Sequence, residues 1–318
     1  MRVMVTGGAG FIGSGLVDRL VAEGEEVDVV DDLSTGSLAN LSGARTGGAG
    51  RMSFHRLDVR SPAVVELITH RRPVVIFHLA AQADVRVSVA NPTFDAEVNI
   101  IGSLNVCEGA LAAGSRKVVF AGSGGTLYGV PEALPVGESH PRHPVSPYGV
   151  AKKAVGDYLH YYREIRELDY TVLALANVYG PRQDPHGEAG VVAIFAGKLL
   201  DRQTPTIFGE GTQTRDFVYV DDVVDAFARA RGAAAGGMLL NIGTGVETSV
   251  NELFATMARL TRFKEAPVYA AARPGELLRS ALDPTRAASE LIWKPTTSLE
   301  SGLGKTISWF KERRAGTV

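Results

Sequence analysis

The chain has 318 residues, a formal charge of −2 from 33 Lys+Arg against 35 Asp+Glu, and one cysteine, so it is long enough for one large domain or two coupled ones. The balanced charge without a basic block excludes a nucleic-acid footprint, and the lone Cys107 excludes an intramolecular disulfide scaffold and suits a reducing, cytoplasmic compartment. No apolar run approaches the roughly 18 residues of a membrane helix, and glycines interrupt the apolar amino terminus, so neither a span nor a cleaved signal is expected.

In chain order, residues 2–6 read as a strand that runs into Gly7-Gly8-Ala9-Gly10-Phe11-Ile12-Gly13, followed by helical apolar spacing over 14–23. Gly7 permits a tight turn, Gly10 lets the backbone approach a pyrophosphate, and Gly13 lets the helix pack close to the strand, leaving the phosphates at the helix amino terminus. A second strand, 26–30, ends in Asp31-Asp32, where a carboxylate accepts from a ribose diol and repels a 2′-phosphate. This predicts NAD rather than NADP, with Asp31 as the ribose ligand and Asp32 as its support. Leu33 to Gly50, rich in Gly, Ser, Ala and Thr, reads as a surface loop.

Strand patterns at 52–57, 74–79, 117–121 and 170–176 alternate with helical patterns at 62–70, 94–113 and 148–167. That alternation predicts an α/β fold, a doubly wound parallel sheet of Rossmann type joined by right-handed crossovers. Within the last helix Tyr148 and Lys152 stand four residues apart, which puts a phenol and an ammonium on one face. A fixed cation beside a tyrosine, joined by a nicotinamide's positive charge, favours the phenolate and makes a general base. From Gly180 to Gly190 the chain reads as a Pro/Gly/Asp/His-rich loop, then a helix over Val191 to Leu200, then short strands and turns. His186 in that loop has no second histidine at ligand spacing, so no metal is expected.

Taken together, these motifs resemble the extended short-chain dehydrogenases/reductases, and among them the nucleotide-sugar epimerases typified by UDP-glucose 4-epimerase. The resemblance runs nearly end to end: Leu57-Asp58-Val59, His78-Leu79-Ala80-Ala81-Gln82, Asn99, Tyr128-Gly129, Ser146-Pro147-Tyr148-Gly149 with Lys152, Asn177-Val178-Tyr179-Gly180-Pro181, Gly209 to Asp222, Asn241 to Gly245, and Arg273-Pro274-Gly275-Glu276. It implies a cofactor surface made by Gly7, Gly10, Phe11, Ile12, Gly13, Asp31, Asp32, Ser34, Thr35, Gly36, Asp58 at the adenine, Val59, Leu79, Ala80, Ala81, Gln82, Asn99, Tyr148 and Lys152. Asn177, Arg215, Arg273 and Glu276 match positions that hold uridine diphosphate, which suits forked guanidinium donors for the diphosphate and a carboxylate for the ribose. Val191 and Tyr148 join this substrate surface. Arg86 faces the site in relatives, where it meets a phosphate or a uronic carboxylate, or serves only as a salt bridge.

One position departs from the family. The hydroxyl that bonds the reacting sugar oxygen usually stands four residues before the tyrosine of the Tyr-Gly pair, where this chain has Gly124. The hydroxyl must come from Ser123, from Thr126 or from a local backbone shift, and period-two alternation at a strand end favours Thr126 over Ser123. Asp-Glu of the 4,6-dehydratases is absent there.

The resemblance further implies an NAD-binding domain over 1–176 with a returning segment near 216–245, and a smaller, discontinuous mixed α/β domain over 177–318 that binds the UDP-sugar. Homodimers are expected through the helices at 94–113 and 148–167. The implied activity is NAD-dependent UDP-hexose 4-epimerisation through a 4-keto sugar. UDP-glucose and UDP-galactose are the default pair, and the small Ser280 leaves N-acetylhexosamines open. The alternatives are a UDP-glucuronate 4-epimerase, an NAD-dependent decarboxylase or 4,6-dehydratase, and a non-enzymatic sensor of NAD or UDP-sugar.

Overall fold

A computed structural model describes residues 1–46, 49–185, 190–272 and 277–316. Its amino-terminal half runs β1 (Arg2–Thr6), α1 (Phe11–Ala22), β2 (Glu26–Asp31), α2 (Ser42–Thr46), β3 (Arg51–Arg56), α3 (Ala63–Arg71), β4 (Val75–His78), α4 (Val85–Ala90), α5 (Pro92–Ala96), α6 (Gly102–Ala113), β5 (Lys117–Ser123), α7 (Gly124–Leu127), α8 (Pro147–Arg166) and β6 (Asp169–Leu175). The remainder runs β7 (Asn177–Tyr179), α9 (Val191–Leu200), β8 (Thr206–Phe208), β9 (Thr214–Arg215), β10 (Phe217–Tyr219), α10 (Val220–Ala230), β11 (Met238–Ile242), β12 (Thr248–Ser249), α11 (Val250–Thr261), β13 (Val268–Ala270), α12 (Thr285–Glu290) and α13 (Leu299–Arg314).

Seven strands form one parallel sheet in the order β11-β6-β5-β4-β1-β2-β3. Both of its faces are covered by helices, which is why Val75–His78 and Val118–Gly122 are buried without alternation. One apolar core lies under α1, α10 and the carboxyl-terminal helices, a second under α3, α6 and α8, and a smaller third joins Leu127, Tyr128, Val136, Ala174 and Leu282. Strand order reverses between β1 and β4, and the crevice outside the strand ends at that switch point is where such sheets bind ligands. Thr6, Asp31, His78 and Ser123 all end strands at this edge.

The doubly wound sheet agrees with the sequence reading, including the return of Met238–Ile242 to pair with β6. Three details differ. The helical stretch expected over 94–113 is interrupted by a π-turn at Glu97–Ile101, which turns Asn99 into the interior. The loop expected over 33–50 contains a 3₁₀ turn and α2, pinned by the buried Leu41 and Ala44. Beyond α9 the chain is far more helical than short strands and turns. Val220, Val223, Val224 and Phe227 bury one face of α10, and Ser249 with Glu252 closes a capping box at the start of α11.

Candidate functional site

Ser146 accepts from the Gly149 amide at 3.2 Å and Pro147 occupies the first turn, so α8 begins just before Tyr148. Lys152, one turn on, is 4 % exposed and its Nζ donates to the Ala121 carbonyl at 2.9 Å. The same ammonium lies 5.6 Å from the Tyr148 ring centroid and 4.6 Å from that of Phe120. Burial draws the Lys152 pKa down to about 8, against the pull of the Asp95 carboxylate. It is therefore still a cation at neutral pH, held behind a phenol, with a backbone carbonyl fixing its position.

Ser123 and Thr126 are close together: Thr126 Oγ1 donates to Ser123 Oγ at 2.9 Å. The alternation argument for Thr126 does not apply, because β5 ends at Ser123 and Gly124 opens α7. Around a helical turn the two hydroxyls become partners rather than alternatives.

On the cofactor side the glycines are sterically required. Gly7 sits at φ +70°, and a Cβ there would lie 2.6 Å from the Ala80 amide nitrogen. A Cβ on Gly13 would lie 2.1 Å from the Gly7 carbonyl oxygen. Gly10 caps α1 without a side-chain bond, which leaves the amides of the first turn, including Phe11 and Ile12, open to an anion. Asp31 is buried and accepts from the Ala9 and Leu33 amides, each at 2.9 Å, one on each oxygen. Burial, more than these bonds, sets its pKa, which is raised. Each oxygen keeps a second lone pair, enough for a ribose diol. Gly36 packs against it, since a Cβ there would lie 2.8 Å from Asp31 Oδ1.

Asp32 accepts from the Ser34 amide at 2.8 Å, and Ser34 and Thr35 are exposed on the same rim. Asp58 is gripped by Arg60, whose hydrogen bond is the main cause of the lowered Asp58 pKa. Val59 beside it is buried. The Leu79–Gln82 segment leaves β4 with the Leu79 amide on the Thr6 carbonyl at 3.0 Å and the Ala80 amide on Thr6 Oγ1 at 3.3 Å. Ala81 follows, half-buried. Asn99 then clamps the segment in both directions: it accepts from the Gln82 amide at 3.0 Å and donates to the Gln82 carbonyl at 2.9 Å. Asp95 holds both side-chain amides. Asn99 thus shapes the wall of the crevice with its polar atoms already engaged.

Sequence reasoning missed His78 as a structural member of this wall. It bridges Thr6 Oγ1 at 2.6 Å and Ser103 Oγ at 2.8 Å, and burial with the nearby Lys152 charge pushes its pKa down to about 3, so it is neutral. A polar residue closing an apolar strand was the available signal.

Asn177 is exposed at the start of β7, Arg215 is half-buried in β9 with its Nη1 on the Thr214 carbonyl at 2.7 Å, and Val191 opens α9. Arg86 is exposed on α4 and paired with Asp84, the cap of that helix, at 2.9 Å. Arg273, Glu276 and His186 lie outside the described residues. Asp216, next to Arg215, is a buried acceptor for Thr244, Gly245 and Leu282. Among the described residues no group of three His, Cys, Asp or Glu could hold a metal ion, and no helix is long and apolar enough to cross a membrane.

An open helix amino terminus, a carboxylate one strand away and a Tyr–Lys pair at the sheet edge fit a dinucleotide. The family model of the NAD dependent epimerase/dehydratase family matches residues 3–243. The chain is 50% identical over 313 residues to a UDP-glucose 4-epimerase of Mycolicibacterium smegmatis, covering 98% of this chain and 99% of that one. Among solved structures, UDP-glucose 4-epimerase of Thermotoga maritima with UDP-glucose superposes with a TM-score of 0.94 at 43% identity, over 99% and 100% of the two chains. UDP-glucose 4-epimerase of Thermus thermophilus in complex with NAD gives 0.89 at 41% identity, over 98% and 99%.

Proposed function

The chain belongs to the NAD-dependent epimerase/dehydratase family, and from that premise we propose the following assignment of reaction, residues and assembly. The protein is an NAD-dependent UDP-hexose 4-epimerase that interconverts UDP-glucose and UDP-galactose, with the N-acetylhexosamine pair admitted by the small Ser280. The single observation that carries the chemistry is the buried Lys152 ammonium held behind Tyr148, with its Nζ on the carbonyl of Ala121 near the end of β5.

The residues that hold NAD are Gly7, Gly10, Phe11, Ile12 and Gly13 at the pyrophosphate, Asp31 with Asp32, Ser34, Thr35 and Gly36 at the ribose, and Asp58 with Val59 at the adenine. Leu79, Ala80, Ala81, Gln82 and Asn99 would line the cofactor's nicotinamide end. Bound there, NAD supplies an acceptor for the sugar C4 hydride and then its donor. Tyr148 takes the proton from the 4-hydroxyl as the carbonyl forms and gives it back as the carbonyl is reduced, so one group is base and then acid. Lys152, itself buried, stabilises the phenolate by charge at close range. The Ser123–Thr126 hydroxyl pair orients the same sugar oxygen. Asn177, Val191, Arg215, Arg273 and Glu276 hold the uridine diphosphate, which anchors one end of the substrate while the 4-keto sugar turns its other face.

We further assign residues 1–176 with 216–245 to the cofactor domain and the rest of 177–318 to the UDP-sugar domain. A homodimer is supported by the exposed apolar stripe Val150, Tyr158, Tyr161 and Ile165 on α8, with Ile101 beside it. A cytoplasmic setting is supported by the single cysteine, Cys107, a buried thiol.

Purified protein incubated separately with UDP-glucose, UDP-N-acetylglucosamine and UDP-glucuronate, without added NAD, tests the reading by NMR of the sugar C1 and C4 protons. The expected result is the 4-epimer of UDP-glucose. Consumption without an epimer would instead indicate a decarboxylase or dehydratase, and inertness even with NAD a sensor.

A further inference from the structure

Gly124 and Gly125 are adjacent, yet their surroundings are opposite. A Cβ on Gly125 would meet nothing within 4 Å, whereas one on Gly124 would lie 2.3 Å from Leu282 Cδ1 and 3.2 Å from the Leu175 carbonyl oxygen. The space a side chain at 124 would fill is taken by a leucine from the far end of the chain. Leu282 is 1% exposed and packs with Leu127, Tyr128, Val136 and Ala174, so its tip cannot swing away into solvent.

Its backbone is fixed as firmly. The Leu282 amide donates to Asp216 Oδ2 at 3.2 Å, and the flanking residues bridge to Val136, whose amide donates to the Ala281 carbonyl at 2.8 Å and whose carbonyl accepts from the Asp283 amide at 2.8 Å. Asp216 is itself held by the Thr244 hydroxyl at 2.6 Å and the Thr244 and Gly245 amides at 2.9 Å and 3.1 Å. Leu282 is therefore a wedge on a rigid mount. It presses on the one turn whose first and last hydroxyls are Ser123 and Thr126, joined at 2.9 Å.

We propose that Leu282 is a positioning residue for the reaction: by occupying the volume beside Gly124 it fixes the backbone of the turn and so aims the Ser123–Thr126 hydroxyl pair at the sugar oxygen that Tyr148 deprotonates. The proposal rests on the epimerase reading of this site. Leu282 touches neither reacting atom. It acts through the turn, and through Asp216 it ties that turn to the strand carrying Arg215, which is assigned to the diphosphate. Gly124 and Leu282 form one steric unit, so a change at either is corrected only at the other.

The experiment is a double-mutant cycle on the full chain, measuring kcat and KM for UDP-glucose with wild type, Leu282→Ala, Gly124→Ala and the double variant. Leu282→Ala is expected to lower kcat by about tenfold or more with KM within about twofold, because small misplacements of orienting groups cost rate. Gly124→Ala should also lower kcat, and the double variant should recover much of the loss, since the added methyl then enters the vacated space. If Leu282→Ala fails to fold by circular dichroism, Leu282→Val paired with Gly124→Ala gives the same cycle. Wild-type kcat in a folded Leu282→Ala with only its melting temperature lowered, or single losses that simply multiply in the double, would overturn the proposal alone. Absence of turnover by the wild type would overturn the epimerase reading and this inference with it.

Discussion

The turn after β1 and the turn after β5 are built to one plan, a parallel strand passing through glycine into a helix at the same edge of the sheet. Their glycines answer to different parts of the chain. In the first turn, Gly13 is close to the Gly7 carbonyl and Gly7 to the amide of Ala80, so backbone meets backbone within one sheet. In the second, Gly124 meets the side chain of Leu282, which arrives from beyond the last strand of that sheet. A backbone constraint leaves only glycine. A side-chain constraint leaves a pair of residues free to change together. The first turn is the one proposed to cradle a diphosphate, and the second the one proposed to carry the orienting hydroxyls.

The largest effect that would sharpen this contrast is at Tyr148, the proposed base. Tyr148→Phe should lower kcat by about 10²–10⁴-fold, the usual contribution of a general base, while the protein still releases NAD on acid precipitation. Turnover equal to wild type would remove Tyr148 from the chemistry. Next in size, Gly13→Ala should cost about 1–3 kcal/mol in urea unfolding by overpacking and leave the purified protein without NAD. Its counterpart Gly125→Ala should stay within about 0.5 kcal/mol of wild type, because nothing lies near its Cβ. Equal costs would break the comparison.

Smaller and graded effects follow from pH. His78 is neutral in the fold, with its pKa pushed down from 6.5 to about 3, so the unfolded chain binds the extra proton between those values. Stability should then fall as pH drops through that window by about 1.4 kcal/mol per pH unit from this group, and His78→Gln should flatten that limb of the urea-midpoint profile. Lys152 acts in the opposite range. With its pKa drawn down to about 8, its charge is lost as pH rises past that value, and kcat should decline there in a stopped assay. A rate flat to pH 10 would sink the role given to the ammonium.

How much of this was legible beforehand depends on the reach of each constraint. Gly7 and Gly13 stand in one turn, Tyr148 and Lys152 one helical turn apart, and Asp31 at the end of the next strand, so local spacing was enough to propose them as candidates. Asn99 could be named but not explained, because the π-turn that points it at Gln82 leaves no mark in an apolar helical pattern. Strand alternation cannot choose between Ser123 and Thr126, since β5 ends at Ser123 and a helical turn carries the chain on to Thr126. Arg86 could be read either way, and in the fold it is paired with Asp84.

By itself the sequence determined the strand–helix alternation, the dinucleotide turn and the Tyr–Lys pair, because periodicity, steric need for glycine and helical spacing are local properties. Only the tertiary structure decided what fills the space at Gly124, which groups hold the Asp216 mount, and why His78 stays neutral. Those are outcomes of desolvation and close packing between segments distant in the chain, and neither can be computed before the segments meet.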